Sequence, residues 1–417
     1  MTPQQTPPAQ PGFKLKIPRW EFIALAAAMM ALNALAIDIM LPGLQEIGAS
    51  LGVEDENHRQ FVITAYIAGF GICQLFFGPL SDRFGRRPPL LVGLAIYIAA
   101  ALGAAFAPSF TSLLVLRAVQ GMGAAATRVI TVSIVRDVFG GRAMAEVMSL
   151  VFMVFMVIPV VAPGIGQVVM LFSEWHMIFV VMAVIALVFT LWAAFRLPET
   201  LHPEYRRPFN LRTIADGFRI VLTNRISLCY MLATTSVFGA LFGFINSAQQ
   251  VYVGIYGLGV WFPVIFAAIA GMMAVSSFLN ARLVGRFGMR KLSHGALIGF
   301  IIITTLWFVL SLFGQLPIYV FVALFAAAML QFGWIGSNFN TIAMEPLGHL
   351  AGTASSVQGF TQTVGGGLIG AFIGLSFDGT TTPLAAGFCA VSVVALVFVL
   401  LGERGKLFQP HNPTVKH

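Results

Sequence analysis

The sequence predicts an all-α membrane protein, with twelve transmembrane helices in two six-helix bundles. Three observations carry this. Of the 417 residues, 58% are hydrophobic and only 10% are charged, more apolar surface than a soluble chain of this length can hide. Apolar stretches of about 18 or more residues recur from end to end, and they are continuous, not alternating, which argues against a β-barrel. One long polar break, residues 197–225, divides the stretches into two blocks.

Taken in order, residues 1–19 are polar and Pro-rich and carry Lys14, Lys16 and Arg19. The apolar run after Trp20 is too long for the core of a cleavable signal, so it reads as a retained first span. Spans are expected near 20–44, 60–81, 88–107, 111–134, 144–169 and 174–196 in the first block. In the second they are expected near 226–249, 258–281, 291–314, 317–341, 351–377 and 383–402. The implied organisation is a bundle over 1–196, a linker over 197–225 and a bundle over 226–417. Cys73, Cys229 and Cys389 all fall in apolar segments and offer neither a disulfide framework nor a metal-ligand spacing.

The basic residues set the expected orientation. All 24 except Arg59, Arg117 and Arg128 fall in the tails or in the loops after the even-numbered spans. The positive-inside rule puts that side, with both termini, in the cytoplasm. The formal charge of +8 therefore reports topology and not a nucleic-acid partner. The blocks also echo each other: "SDRFGRRP" (Ser81–Pro88) follows span 2 and "VGRFGMRK" (Val284–Lys291) follows span 8. Parallel six-span repeats are one way transporters build a site.

Among the sixteen acidic residues, only Asp38, in "LNALAIDIMLPGL", lies well within an expected span. A carboxylate there is costly unless it is protonated or paired, and is by default a functional candidate. Its expected partner is Arg117 on span 4, since both lie roughly 8 Å below the same surface at the helical rise. Arg128 comes three turns after Arg117, on one stripe with Gln120, Ala124 and Thr131. It reads equally as cavity lining or as a side chain snorkelling to the interface. Span 5 carries "VIPVVAPGIG", whose Pro159, Pro163 and Gly166 predict a bendable, tightly packed helix. In the second block, Asn246 and Gln250 (span 7), Asn338 (span 10) and Gln358 (span 11) are candidate binding residues. For each, a helix–helix bond is the simpler role. "GPLSDRFGRRP" combines Gly78 and Gly85, which suit a tight junction, with Asp82 and the arginines Arg83, Arg86 and Arg87. No HExxH, GxSxG, CxxC or phosphate-binding loop occurs, so no enzyme is expected, and neither metal nor cofactor.

Gly78-x-Leu80-x-Asp82-Arg83-x-Gly85-x-Arg87 resembles motif A of the major facilitator superfamily. Leu116-Arg117-Ala118-x-Gln120-Gly121 resembles its motif B, and Ala162-Pro163-x-x-Gly166 a degraded antiporter motif C. "AIDIMLPGL", "VRDVF", "LPETL" and "AGTASSVQG" resemble the Bcr/CflA-type multidrug exporters, among the twelve-span drug:proton antiporters. That resemblance implies a cavity alternately open to each side. Asp38 would be the protonation site and Arg117 its coupling partner, and the two would line the substrate path with Gln120 and Ala124. Gly78, Asp82, Arg83, Gly85 and Arg87, joined by Arg136 and Asp137, would form a cytoplasmic latch. Some related exporters carry a second acid two turns before this Asp; here Met30 stands there. The expected partners are a small molecule, protons and the lipid bilayer. The expected state is a monomer in a bacterial inner membrane. The rival readings are a metabolite exporter, which a polar cavity would favour, and a non-transporting sensor, which would need no coupling acid.

Overall fold

A computed structural model describes residues 17–55, 57–139, 141–206 and 219–409. The chain forms two compact units, Met1–Thr213 and Ile214–His417, and the division falls inside the polar break. In the first unit the main helices are α1 Arg19–Asp38, α2 Leu44–Ser50, α3 Phe61–Phe84, α4 Arg87–Ala105, α5 Phe110–Val138, α6 Gly141–Phe172 and α7 His176–Arg196. In the second they are α8 Arg225–Gln249, α9 Phe262–Phe287, α10 Met289–Ser311, α11 Ile318–Met344, α12 Ala351–Phe360, α13 Gly366–Leu375 and α14 Thr382–Gly402.

Among the described residues, ten helical runs are long and apolar enough to cross a membrane. The other two expected spans are α6 and the pair α12–α13, which a π-turn at Thr361–Gly365 splits into two ten-residue helices. The first span is longer than expected. Pro42 has no N–H to continue α1, so the chain turns through Leu41–Gly43 and resumes as α2 to Ser50.

Local chemistry explains the helix starts. Ser109 and Ser112 form a reciprocal cap on α5, and the Asn224 side chain accepts the Ser227 N–H at the start of α8. Pro88, Pro263 and Pro383 occupy first turns, where a missing N–H costs nothing. Large apolar side chains such as Phe172, Phe195 and Phe372 point outward, as lipid as solvent requires. Inside the second unit, Phe244 and Phe325 lie 4.4 Å apart, and Trp307 packs edge-on to Phe388 at 5.4 Å. Much of the Phe supply thus builds this bundle's core.

The two units repeat one packing scheme. In the first, α3 and α4 each pack on α5, α4 packs on α7, and α1 packs on α6. In the second, α9 and α10 each pack on α11, α10 on α14, and α8 on α13. The short sequence echo marks the same joint in both. Helix α3 ends at Gly85 with φ +94°, and α9 ends at Gly288 with φ +82°. Both conformations suit glycine and strain other residues.

Candidate functional site

Asp38 is the last residue of α1 and is 3% exposed. Among the described residues its carboxylate has neither a hydrogen bond nor an ion-pair partner. The backbone beside it is held tightly. A Cβ built on Gly166 of α6 would collide with the Ile39 carbonyl, so only glycine allows this approach. Of the three candidate hinge residues, Gly166 therefore has a packing role, and α6 runs as one helix through Pro163. Only the backbone of Pro159 falls within the description.

Arg117 reaches α1 as expected, but not at Asp38. Its Nη2 donates to the Ala36 carbonyl at 2.9 Å and its Nε to the Val62 carbonyl of α3 at 3.2 Å. Its Nη1 donates to Gln120 Oε1 at 2.6 Å. The guanidinium lies 4.5 Å from the centre of the Tyr66 ring and 5.9 Å from that of Phe179. Neutral carbonyls, an amide and two ring faces thus solvate a fully buried cation. Equal depth was legible in the sequence; the rotation that aims the fork at Ala36 was not. Sequence reasoning also missed Asn33, which donates to Thr127 Oγ1 at 2.9 Å and accepts from the Tyr66 hydroxyl at 3.4 Å. The signal was present, since Asn33 is polar within an apolar run. Ala124 is completely buried and lends its carbonyl to Thr127.

The Gly78–Arg87 stretch centres on Arg86, which the expected latch set left out. Arg86 Nε meets Asp137 Oδ2 at 2.7 Å, and its Nη1 meets Asp82 Oδ1 at 2.5 Å and Ser81 Oγ at 2.9 Å. Burial opposes the charge on Arg86, but Asp137 and Asp82 outweigh it and hold the guanidinium above its ordinary value. Glu199, from "LPETL", closes the joint. Its carboxylate accepts the backbone N–H groups of Arg86 at 2.8 Å and Arg87 at 3.1 Å, at the positive end of α4. A Cβ on Gly85 would come within 2.6 Å of that carboxylate. Arg87 donates to the Ala194 carbonyl of α7, Gly78 accepts from Ser81 at 2.8 Å, and Arg83 lies over the Phe84 ring. Of Arg136 only the backbone is described. All these bonds join elements of the first unit.

The second unit has a parallel clasp. Arg290 Nε meets Glu403 Oε1 at 2.8 Å, and Tyr230 donates to the same oxygen at 2.7 Å. Burial pushes the Glu403 carboxyl upward, but Arg290 outweighs it and holds it below the usual range. Glu199 and Glu403 each follow the last helix of their unit and reach back to its Gly-Arg joint. The second unit's amides mostly tie helices together. Asn338 donates to Asn280 Oδ1 at 2.7 Å, and Gln358 to Asn340 Oδ1 at 2.5 Å, with Gln362 on the same oxygen. Gln250 is buried where α8 gives way to a π-turn. Asn246 differs: it is 1% exposed, and among the described residues neither side-chain polar atom has a hydrogen-bond partner. No group of residues able to hold a metal ion occurs among the described residues.

The profile of the Major Facilitator Superfamily matches residues 23–371. The chain belongs to this superfamily. It is 33% identical over 385 residues to a bicyclomycin resistance protein homolog of Haemophilus influenzae, covering 91% of this chain and 96% of that protein. It is 28% identical over 406 residues to the multidrug resistance protein MdtL of Shigella dysenteriae, covering 95% and 99%. A bacterial homolog of the human lysosomal transporter Spinster superposes with a TM-score of 0.72 at 17% identity, over 95% of this chain and 99% of that one. That likeness is one of fold. The superfamily is one of membrane transporters, and the helical architecture above is its fold.

Proposed function

We propose that this chain is a proton-coupled antiporter that exports small, largely hydrophobic compounds from a bacterial cytoplasmic membrane by alternating access. One observation carries the reading: Asp38 is a buried membrane carboxylate with no counter-ion among the described residues. Ionised, it is costly in that place; protonated, it is a modest polar group. Such a group is a proton carrier when it meets water on one side and then the other. The relatives named for bicyclomycin and multidrug resistance support export of drug-like molecules. The positive loops put both termini in the cytoplasm.

In this scheme Arg117 holds α1, α3 and α5 in register two residues before the carboxylate. The Arg86 cluster stabilises one of two arrangements of the cytoplasmic side. Substrate and proton compete through those arrangements, each favouring one. The chain works as a monomer without a cofactor.

The test uses the full chain in liposomes with an imposed pH gradient and bicyclomycin as substrate. Wild type should move drug against proton, read by a trapped pH dye. Asp38→Asn should abolish the gradient-driven component. Wild-type rates in that variant would remove Asp38 from the coupling.

A further inference from the structure

Arg128 stands apart from the other deep polar groups of the first unit. It is partly buried in α5, ten residues before the helix ends at Val138, about 15 Å along the axis. The ion-paired Asp137 and Arg86 mark the polar edge of the bundle near that end. An arginine side chain is too short to span that distance, so snorkelling does not account for it. Among the described residues Arg128 has no hydrogen bond, ion pair or ring contact. Arg117, by contrast, is fully solvated by protein.

Among the described side chains, no carboxylate of the first unit answers it. Glu21 is bound by Arg196 and Trp192, Asp82 and Asp137 by Arg86, and Glu199 by backbone N–H groups. Asp38 lies at another level. Asn33 is fixed to Thr127, beside Arg128, and Asp38 is five residues further on, about 8 Å along α1. One turn after Arg128, on the same face, Thr131 is 2% exposed and its hydroxyl has no hydrogen-bond partner among the described residues. Several other helical threonines here bond back to their own helix, as Thr127 does to Ala124 and Thr234 to Tyr230, although Thr64 of α3 does not. A guanidinium and a hydroxyl are thus left unused one turn apart, inside a membrane span.

We propose that Arg128 and Thr131 receive an oxyanion carried by the transported compound, so that weak organic acids, as their anions, are among its substrates. This rests on the exporter reading above. A guanidinium fork pairs both oxygens of a carboxylate, and the Thr131 hydroxyl donates to one of them. The hydrophobic body of such a molecule suits a membrane-embedded site. An anion leaving a cell that is negative inside is also driven outward by the membrane potential.

The test compares 2-naphthoate with its neutral amide, 2-naphthamide. Binding to the full chain is measured by calorimetry in nanodiscs of phosphatidylcholine alone, so that no anionic lipid competes. Wild type should bind the acid at least tenfold more tightly than the amide. Arg128→Gln should bring that ratio near one, Arg128→Lys should keep part of it, and Thr131→Val should lower it severalfold. Equal affinity for the two probes in wild type, or a preference that survives Arg128→Gln, overturns the proposal. Adding anionic phospholipid should not abolish the wild-type preference; if it does, the site belongs to lipid phosphate and the proposal falls. Failure of wild-type, gradient-driven bicyclomycin efflux would instead sink the exporter reading, which the binding ratio does not measure.

Discussion

Replacing Arg86 with Met should destabilise the first unit by about 3–5 kcal/mol, the usual cost of removing one partner of a buried ion pair. The side chains of Arg86 and Asp137 are 3% and 9% exposed, and they meet at 2.7 Å. Without Arg86, Asp137 retains the Thr200 hydroxyl at 3.3 Å. A single neutral donor does not replace a guanidinium in a desolvated site. Asp82 is different: it is 41% exposed, so its contact with Arg86 is worth about 0–1 kcal/mol despite the shorter distance. Asp137→Asn should fall between, at about 1.5–3 kcal/mol, because Arg86 keeps Asp82 and Ser81. The double variant Arg86→Met with Asp137→Asn should cost less than the sum of the singles, since the stranded charge is gone. The assay is SDS-driven unfolding in mixed micelles, followed by tryptophan fluorescence. A cost below about 1 kcal/mol for Arg86→Met would refute the argument from burial, as would equal costs for Arg86→Met and Asp82→Asn.

Asp82→Asn should leave stability nearly unchanged but slow transport at saturating substrate, with affinity largely kept; tenfold weaker binding with normal turnover would place Asp82 in the binding site. Gly166→Val should destabilise by about 1–3 kcal/mol through its clash with the Ile39 carbonyl, whereas Gly164→Ala, which meets nothing within 4 Å, should be tolerated; equal unfolding midpoints for the two would contradict the packing. Glu403 is held below its ordinary value in the folded chain, so its contribution to stability is complete above the unfolded value of about 4.3 and is lost as pH falls below it. Unfolding midpoints measured down through that range should therefore fall less steeply in Glu403→Gln than in wild type.

Hydropathy and charge placed the helices well because both are local properties of the chain. Their bounds failed where backbone chemistry intervened. Pro42 turns the first span and lets it resume as far as Ser50, and a π-turn interrupts the eleventh at Thr361–Gly365. Asp38 was visible because a carboxylate in an apolar run needs no partner to be conspicuous. Arg86 was not singled out among three neighbouring arginines, because its role depends on Asp137, 51 residues away, and on Glu199 fixing its backbone from beyond α7. No periodicity encodes such long-range approaches. The Arg-Phe-Gly-x-Arg echo did encode the left-handed glycine joint, since that conformation is imposed by the residue itself. The echo does not extend to the ion pairs. The position of Arg86 is Met289 in the second unit, where Arg290 holds the carboxylates instead.

Under the proposed proton coupling, the arrangement around Asp38 bears on how one proton would move a large structure. In a coupling scheme built on a direct pair, protonation breaks a salt bridge and frees the arginine. Here Arg117 binds Ala36, Val62 and Gln120, all neutral, so protonation of Asp38 breaks no described bond of the arginine. Arg117 instead fixes the backbone two residues before the carboxylate, while Gly166 brings α6 onto Ile39, one residue after it. Asp38 therefore stands between two clamped points of one strand of chain. If Asp38 carries the proton, as proposed, a change in its charge or solvation would strain both clamps, one to α3 and α5 and the other to α6. Closely packed joints of this kind shift between discrete arrangements more readily than they deform. In the proposed scheme the coupling would be carried by backbone that glycine and guanidinium hold in place, with Asp38 as the described group whose charge changes.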